Sequence, residues 1–296
     1  MVEWKPKFIE RYKQLTDIET FLEYSLKPLK KTIRVNTLKT TTKEMKKRFK
    51  LKQIPWCKEG FNVEGYALGN TKEHFLGYFY IQGAASMIPP IVLKPKPGDL
   101  VLDMCASPGS KTSQMAALMK NKGLIVANDL SIDRMQPLTV NLQRVGAANC
   151  VITRMEGRWF KDKQYDKILL DAPCSGIGTI RKSLKTIQMW NPGFAKMMAT
   201  LQKKLFDTAI SVLKEDGTLV YSTCTLEPEE DEGVVDYILN KYDNMKVEKF
   251  SLNIKKGKPV EEWENQTYTS EVKKCLRIWP QDNDTEGFFV TKFKKV

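Results

Sequence analysis

The chain has 296 residues, with 48 Lys and Arg against 35 Asp and Glu for a formal charge of +13, and 42% of its residues are hydrophobic. That apolar content supports a sizeable core and excludes a disordered chain, while only 14 Pro and 17 Gly exclude collagen-like and linker-like sequences. The start, MVEWKPKFIERYKQ, is charged from its third residue and no run approaches eighteen apolar residues, so neither a secretory leader nor a spanning helix is expected and the cytoplasm is the default compartment.

In chain order, helices are expected over 5–14 and 17–26, a strand over 32–38, and a basic helix capped by Thr41 or Thr42 that runs to about Lys50. Short strands follow near 61–63 and 75–81, which makes a small α+β unit. Residues 1–80 hold 17 basic and nine acidic side chains, so +8 of the charge sits in about a quarter of the chain and favours a polyanionic partner. Beyond Pro89 the pattern becomes apolar runs of four to six residues separated by helical lengths, the signature of a mostly parallel sheet in an α/β fold. Strands are expected over 100–104, 124–128, 150–154, 167–170, 219–222, 247–250 and 288–293. Helices are expected over 111–120, 133–145, 194–213 and 228–240, and 251–275 reads as a polar excursion. The domain reading is a small basic module over 1–82 and a larger α/β domain over 83–296.

The first strand-to-helix junction reads Asp103, Met104, Cys105, Ala106, Ser107, Pro108, Gly109, Ser110, Lys111, Thr112. Small residues there let a ligand approach the backbone, yet the spacing is neither that of a dinucleotide fingerprint nor that of a phosphate-binding loop. The next strand ends at Asp129, whose two carboxylate oxygens suit a ribose diol. Glu156 could accept from an adenine amino group, with Gly157 leaving room beside the ring; an ion pair with Arg154 or Arg158 is the competing reading.

Six cysteines at 57, 105, 150, 174, 224 and 275 form no close CxxC pair, which argues against a zinc finger or a small disulfide scaffold. Two of them, in DAPCSGIG and STCT, follow the fourth and fifth strands, which neighbour each other in a doubly wound sheet; Cys174 and Cys224 should therefore meet at the ligand-binding edge. A thiolate there could add to an electron-poor ring carbon such as C6 of a pyrimidine and leave C5 able to attack a methyl electrophile. The single histidine, His74, lies outside these loops, which leaves Asp171 as the nearest proton handler. A Cys174–Cys224 disulfide, or a metal held by Cys105, Cys174 and Cys224, are alternatives on spacing alone. Cys57, Cys150 and Cys275 read as buried inert thiols.

DMCASPGSKT, DAPCSGIGTIRKS, YSTCTLEPEEDE and GFFVTKF, in this order, with Arg34-Val35-Asn36 and Gln82 ahead of them, resemble the RNA cytosine-5 methyltransferase family that includes bacterial rRNA enzymes and the Nol/Nop/Sun proteins. The resemblance implies a Rossmann-like seven-stranded methyltransferase fold with a small amino-terminal RRM-like module. It also implies S-adenosylmethionine held by the loop from Cys105 to Lys111, with Asp129 at the ribose and further contacts from Arg134 and Asp171, and no metal. Cys224 is then the nucleophile, Cys174 serves release of the methylated RNA, and Asp171 contacts the cytosine edge. Ser107, Ser110 and Glu156 depart from the residues usual in the family, and Glu156 is the departure that bears on adenine geometry.

For RNA, Lys30, Lys31, Arg34, Lys43, Lys46, Lys47 and Arg48 are the expected backbone contacts. The compact architecture is similar to archaeal members of the family; a monomer acting on tRNA is expected, with rRNA as the alternative. An amino-group methyltransferase and a noncatalytic RNA-binding or assembly protein are the competing classes, and the paired strand-end cysteines oppose the first.

Overall fold

The computed structural model describes residues 3–296; the first two residues of the module expected over 1–82 lie outside the described residues. Two helices lead, α1 (Pro6–Lys13) and α2 (Ile18–Leu26), the second capped by Asp17, whose carboxylate accepts from the backbone N–H of Glu19 and Thr20. Then β1 (Thr32–Val35), α3 (Thr42–Arg48), β2 (Leu51–Ile54), β3 (Cys57–Val63), α4 (Lys72–Phe75) and β4 (Phe79–Ile81) build an antiparallel sheet in the order β2-β3-β1-β4. Thr41 caps α3, its Oγ1 accepting from Glu44 N–H at 3.2 Å. The strand expected over 75–81 starts later, because 72–75 forms a helical turn and Gly77 reverses the chain at φ +72°. The edge strand β2 was not anticipated, since its Lys52 and Gln53 carry no apolar alternation.

The period of two along β1 decides what each of its residues does. Ile33 and Val35 face one side and bury with Met45, Phe49, Phe61 and Phe79. Arg34 faces the other side. It was expected at the RNA backbone, and the structure corrects this: the side chain is 2% exposed, with Nε donating to Gln82 Oε1 at 2.8 Å and Nη2 to Ser113 Oγ at 2.8 Å. Burial pushes its pKa down to about 10. Gln82 in turn donates to Gln114 Oε1 at 3.1 Å, and Asn36 Nδ2 donates to Val145 O at 2.7 Å. These polar residues fasten the small sheet to the helices of the larger one.

The larger unit contains α5 (Ile88–Leu93), β5 (Leu100–Asp103), α6 (Ser110–Leu118), β6 (Leu124–Asp129), α7 (Ile132–Val145), β7 (Cys150–Arg154), β8 (Tyr165–Asp171), α8 (Lys185–Met189), α9 (Pro192–Ser211), β9 (Leu213–Thr223) and α10 (Glu232–Lys241). It closes with β10 (Met245–Val247), a hairpin of β11 (Glu262–Trp263) and β12 (Gln266–Thr267), β13 (Leu276–Ile278), α11 (Pro280–Asn283) and β14 (Phe288–Lys295). Its sheet runs β10-β14-β9-β8-β5-β6-β7 with β13 beside β14, and β5 to β9 are parallel, so the Rossmann-like seven-stranded order is present with one strand added. Alternation sorts the core: Val101, Leu169 and Val220 bury against α5 and α6, while Leu102, Leu170 and Tyr221 bury against α9 and α10. Among the described residues no helix is long and apolar enough to cross a membrane.

Helices α1 and α2, grouped with the small sheet in the sequence, share their buried cluster with the larger unit instead. Phe8, Tyr12 and Phe21 pack on Ile177, Ile180, Trp190, Leu226 and Trp279. Beside them lies a buried acidic turn after β9. Glu227, fully buried, accepts from Arg11, from the Tyr12 hydroxyl at 2.9 Å and from Trp190 Nε1 at 2.7 Å. Arg277 donates through Nε to Glu232 at 2.9 Å and through Nη1 to Leu226 O at 2.9 Å, and pairs with Asp231 at 3.1 Å. Removing one partner from such a network leaves uncompensated buried charge. Arg277→Met is therefore expected to lower unfolding free energy by about 3–5 kcal/mol in denaturant titration; a loss within the error of the extrapolation would contradict this role.

Candidate active site

Strands β8 and β9 pair in parallel with Asp171 opposite Ser222, so the chain leaves both strands at the same height. The two loops that follow carry the cysteines, and Cys174 Sγ lies 3.2 Å from Cys224 Sγ, both as free thiols. Polar contacts hold the loops together: Ser175 Oγ and Thr225 Oγ1 are 2.7 Å apart, and Glu230 accepts from Ser175 N–H at 3.0 Å and from Gln202 Nε2 at 2.8 Å. Gly178 permits this approach, since a Cβ there would stand 2.1 Å from Gly287 O and 2.7 Å from Cys224 O.

The pair is electrostatically asymmetric. A hydrogen bond from the Cys174 thiol holds the Cys224 thiol below the ordinary range; burial and Asp171 act against it, and the ammonium groups of Lys111 and Lys182 act with it. Cys174 is pushed well above the ordinary range by its role as donor to Cys224, then by burial and by Glu230. Of the two sulfurs, Cys224 is therefore the one whose ionised form the site favours, and Cys174 the one held protonated. Cys105 is pushed up by burial and by the carboxylates of Asp103, Asp129 and Asp171, which leaves it a protonated bystander. Burial likewise raises Cys57, to about 11, and Cys150 and Cys275, each to about 12. Among the described residues no group of three or more His, Cys, Asp or Glu is placed to hold a metal ion.

Cys224 lines a cavity of about 270 Å³ together with Lys111, Asp171, Thr179, Lys182, Glu286 and Phe288; Cys174 does not line it. Lys111, expected as part of a cofactor loop, turns its ammonium here, 2.6 Å from Asp171 Oδ2 and 3.1 Å from Ser86 Oγ. Asp171 Oδ1 accepts from Ser222 Oγ at 2.7 Å. Sequence reasoning missed Lys182 and Glu286, an ion pair at 2.7 Å. Both stand inside quoted motifs or beside them, and only the closeness of Gly178 and Gly287 in the fold brings them to one wall.

The loop from Cys105 to Ser110 lies between the ends of β5 and β6. Gly109 starts α6 at φ +97°, where its missing Cβ would otherwise stand 3.1 Å from Leu138 Cδ1. Asp129 Oδ2 accepts from Ser107 N–H at 3.2 Å and lies 3.5 Å from Arg134, whose guanidinium donates to Ser107 O at 3.1 Å. Pro108 is exposed while Ala106 and Ser107 are buried. Asp103 Oδ2 accepts from Thr112 Oγ1 at 2.7 Å, its Oδ1 is buried without a partner, and burial pushes its pKa up to about 7. Glu156 and Gly157 were expected at the adenine. Glu156 caps the turn Gly157–Trp159 and pairs with Arg158, a hydrogen bond that lowers its pKa and engages the carboxylate proposed for adenine. The room gained at Gly157 is filled by Leu205, whose Cδ2 would lie 2.7 Å from a Cβ, and serves helix packing.

Six of the seven expected RNA contacts are exposed: Lys30, Lys31, Lys43, Lys46, Lys47 and Arg48. Lys30 pairs with Asp284 at 2.6 Å beside the cysteine site, whereas Lys47 and Arg48 pair with Glu44 and Glu73 of their own module.

Residues 90–294 match the family model for 16S rRNA methyltransferase RsmB/F, and residues 5–84 match that for the N-terminal domain of 16S rRNA methyltransferase RsmF. The chain belongs to the RsmB/F family. It is therefore an S-adenosylmethionine-dependent RNA cytosine-5 methyltransferase of the Nol/Nop/Sun-like group. It is 47% identical to the tRNA (cytosine(49)-C(5))-methyltransferase of Pyrococcus abyssi, a match covering 98% of this chain and 96% of that protein. It is 41% identical to the ribosomal RNA small subunit methyltransferase F of Shewanella piezotolerans, covering 100% of this chain and 65% of that protein. The crystal structure of a methyltransferase homolog protein from Pyrococcus horikoshii superposes with TM-score 0.87 at 37% identity, covering 100% and 96% of the two chains. That of NSun6 from Pyrococcus horikoshii with SFG gives 0.85 at 26%, covering 99% and 98%. In this family member the carboxylates of Asp103, Asp129 and Asp171 around the loop, with one oxygen of Asp103 lacking a donor, fit a cofactor that is cationic and carries hydrogen-bond donors.

The lowered pKa of Cys224 means that its thiolate is present above the shifted value and lost as pH falls through it. In the protein without RNA, iodoacetamide should label Cys224 with a midpoint below the ordinary thiol value of about 8.5. Cys174→Ala removes the donor and should move that midpoint upward, read by mass spectrometry of the labelled peptide; an unmoved or lowered midpoint would contradict the assigned hydrogen bond.

Proposed function

We propose that Cys224 attacks C6 of an RNA cytosine seated in the cavity it lines, and that Cys174, behind it, assists release of the product. The observation that carries this is the asymmetry of the pair: Cys224 lines the cavity, and Cys174 lies behind it with the sulfurs 3.2 Å apart. S-adenosylmethionine, held by Cys105 to Ser110 with Asp129 and Arg134, supplies the electrophilic methyl group. Addition of the Cys224 sulfur at C6 breaks the ring's aromaticity and places electron density at C5, which would form the new carbon–carbon bond as the methyl–sulfonium bond breaks and its electron pair goes to the cofactor sulfur, leaving a neutral thioether. The Lys111–Asp171 pair binds the polar edge of the ring, and Ser222 keeps the carboxylate oriented. The C5 proton then passes to a base at the cavity wall, for which Asp171 is the proposed acceptor, and the C6–S bond breaks so that its electron pair returns to Cys224. There the Cys174 S–H stabilises the departing thiolate, since a sulfur with a lower pKa leaves faster. In its extruded pose the base needs no metal ligand from these residues.

For the RNA itself, ribosomal RNA has the broader support. Both family models carry a 16S rRNA description, and relatives from several Shewanella strains are named for the small ribosomal subunit. The second reading is tRNA, favoured by one observation: the match to the Pyrococcus abyssi tRNA enzyme spans 96% of that protein, whereas this chain spans only 59–65% of the ribosomal relatives. We read an archaeal source and a monomer acting in the cytoplasm as part of the same proposal.

Purified protein, labelled S-adenosylmethionine and separated 16S rRNA and tRNA test both levels. Nucleoside analysis should find 5-methylcytosine in the ribosomal fraction, and label confined to tRNA would select the second reading. Cys224→Ala should reduce transfer by at least about a thousandfold, a loss of the size seen when a nucleophile is removed. Cys174→Ala should instead accumulate a protein–RNA adduct that survives denaturation. Equal product from the Cys224 variant would reject the assignment.

A further inference from the structure

A second cavity, of about 420 Å³, opens beside the one that Cys224 lines. The two share Ile81, Gln82, Gly83, Lys182 and Glu286, so the Lys182–Glu286 ion pair stands at their junction. One wall belongs to the small sheet. Trp56 is fixed there by its indole N–H, which donates to Ala84 O at 2.9 Å, and Ile81 keeps 42% of its surface exposed at the end of β4. The facing wall is the turn at 283–286. Lysines line the rim: Lys30 is neutralised by Asp284 and Lys182 by Glu286, whereas Lys31 donates to Tyr66 O at 3.1 Å and, among the described residues, has no carboxylate within 4.0 Å.

We propose that this second cavity holds the nucleotide adjacent to the target cytosine, its base against Trp56 and Ile81 and its phosphate at Lys31; the proposal rests on the cytosine-5 reading of the neighbouring cavity. Continuity argues for it. RNA that places one base at Cys224 carries the next residue one sugar-phosphate unit away, and the five residues the two cavities share make this the adjoining space. The chemistry argues for the same occupant. A flat aromatic face and an exposed aliphatic side chain suit a nucleobase, which stacks on such surfaces without sequence preference, and a lysine without an acidic partner suits a phosphate. The fixed Trp56 ring also needs no reordering to receive a base, which limits the entropic cost of seating it.

The test is a cycle between protein and RNA. Wild type, Ile81→Ser and Lys31→Ala are assayed by steady-state methylation on a short RNA holding the mapped target, either intact, abasic at the 5′ neighbour or abasic at the 3′ neighbour. On intact RNA, Ile81→Ser should raise KM on the order of tenfold with kcat nearly unchanged. On one of the two abasic RNAs wild type should show the same rise, and Ile81→Ser should add nothing further. Lys31→Ala should weaken the salt dependence of KM by about one phosphate contact. Unchanged KM for both variants, or an Ile81→Ser loss that is equal on all three RNAs, overturns the subsite, the second result assigning Ile81 to folding or to another occupant. If wild type methylates the intact RNA, such a result removes the subsite alone. If wild type forms no 5-methylcytosine on any RNA, the activity and the subsite fall together.

Discussion

The site depends on one constraint, the parallel pairing of β8 with β9 in a register that sets Asp171 opposite Ser222. From that register both chains leave the sheet at the same edge, and residues fifty positions apart in sequence end with their sulfurs 3.2 Å apart. A slip of one residue would turn alternate side chains to the opposite face of the sheet and separate Ser222 from the carboxylate it supports. The same strand ends carry Asp171 to Lys111, in the first turn of the helix after β5, so three loops from adjacent strands meet in one polar cluster. This is the crevice that a doubly wound sheet opens where its strand order reverses.

A second layer holds the loops in place. The acidic turn after β9 is largely buried, and its carboxylates support several elements: Glu227 and Glu229 hold α1 through Arg11, Glu230 holds the Cys174 loop, Asp231 accepts from Thr223, and Asp231 and Glu232 share Arg277. Burial pushes Glu230 up to about 7, so it gives up charge readily while still accepting from Ser175 and Gln202. The amino-terminal helices thereby brace a catalytic loop from the outside. Arg34 and Asn36 make a comparable attachment on the other side, between the small sheet and the helices that carry the cofactor loop.

Much of this was legible in the sequence because it follows local periodicity. Short apolar runs marked β5 to β9, and the position of Cys174 and Cys224 just past two of them was enough to predict their meeting. What was illegible depends on which face a side chain takes. Arg34 reads as one more cation in a basic module, but an odd position in a strand whose even neighbours are core points it inward. Lys111 sits in a loop suited to a cofactor, yet its long side chain spans to Asp171. Glu156 forms the ion pair with Arg158, which stands within the same turn. Lys182 and Glu286 come together only through the glycine contact between two distant loops, which no pattern in either segment announces.

The proposed catalysis rests on a covalent bond from the Cys224 sulfur to the base, and an RNA carrying 5-fluorocytidine at the target tests it directly, because fluorine at C5 blocks the elimination that would free the enzyme. Incubation of the unmodified protein with this RNA and S-adenosylmethionine, followed by proteolysis and peptide mapping, should place a methylated nucleotide on Cys224. A stable link at Cys174 instead, or complete methyl transfer without any protein–RNA bond, would contradict it.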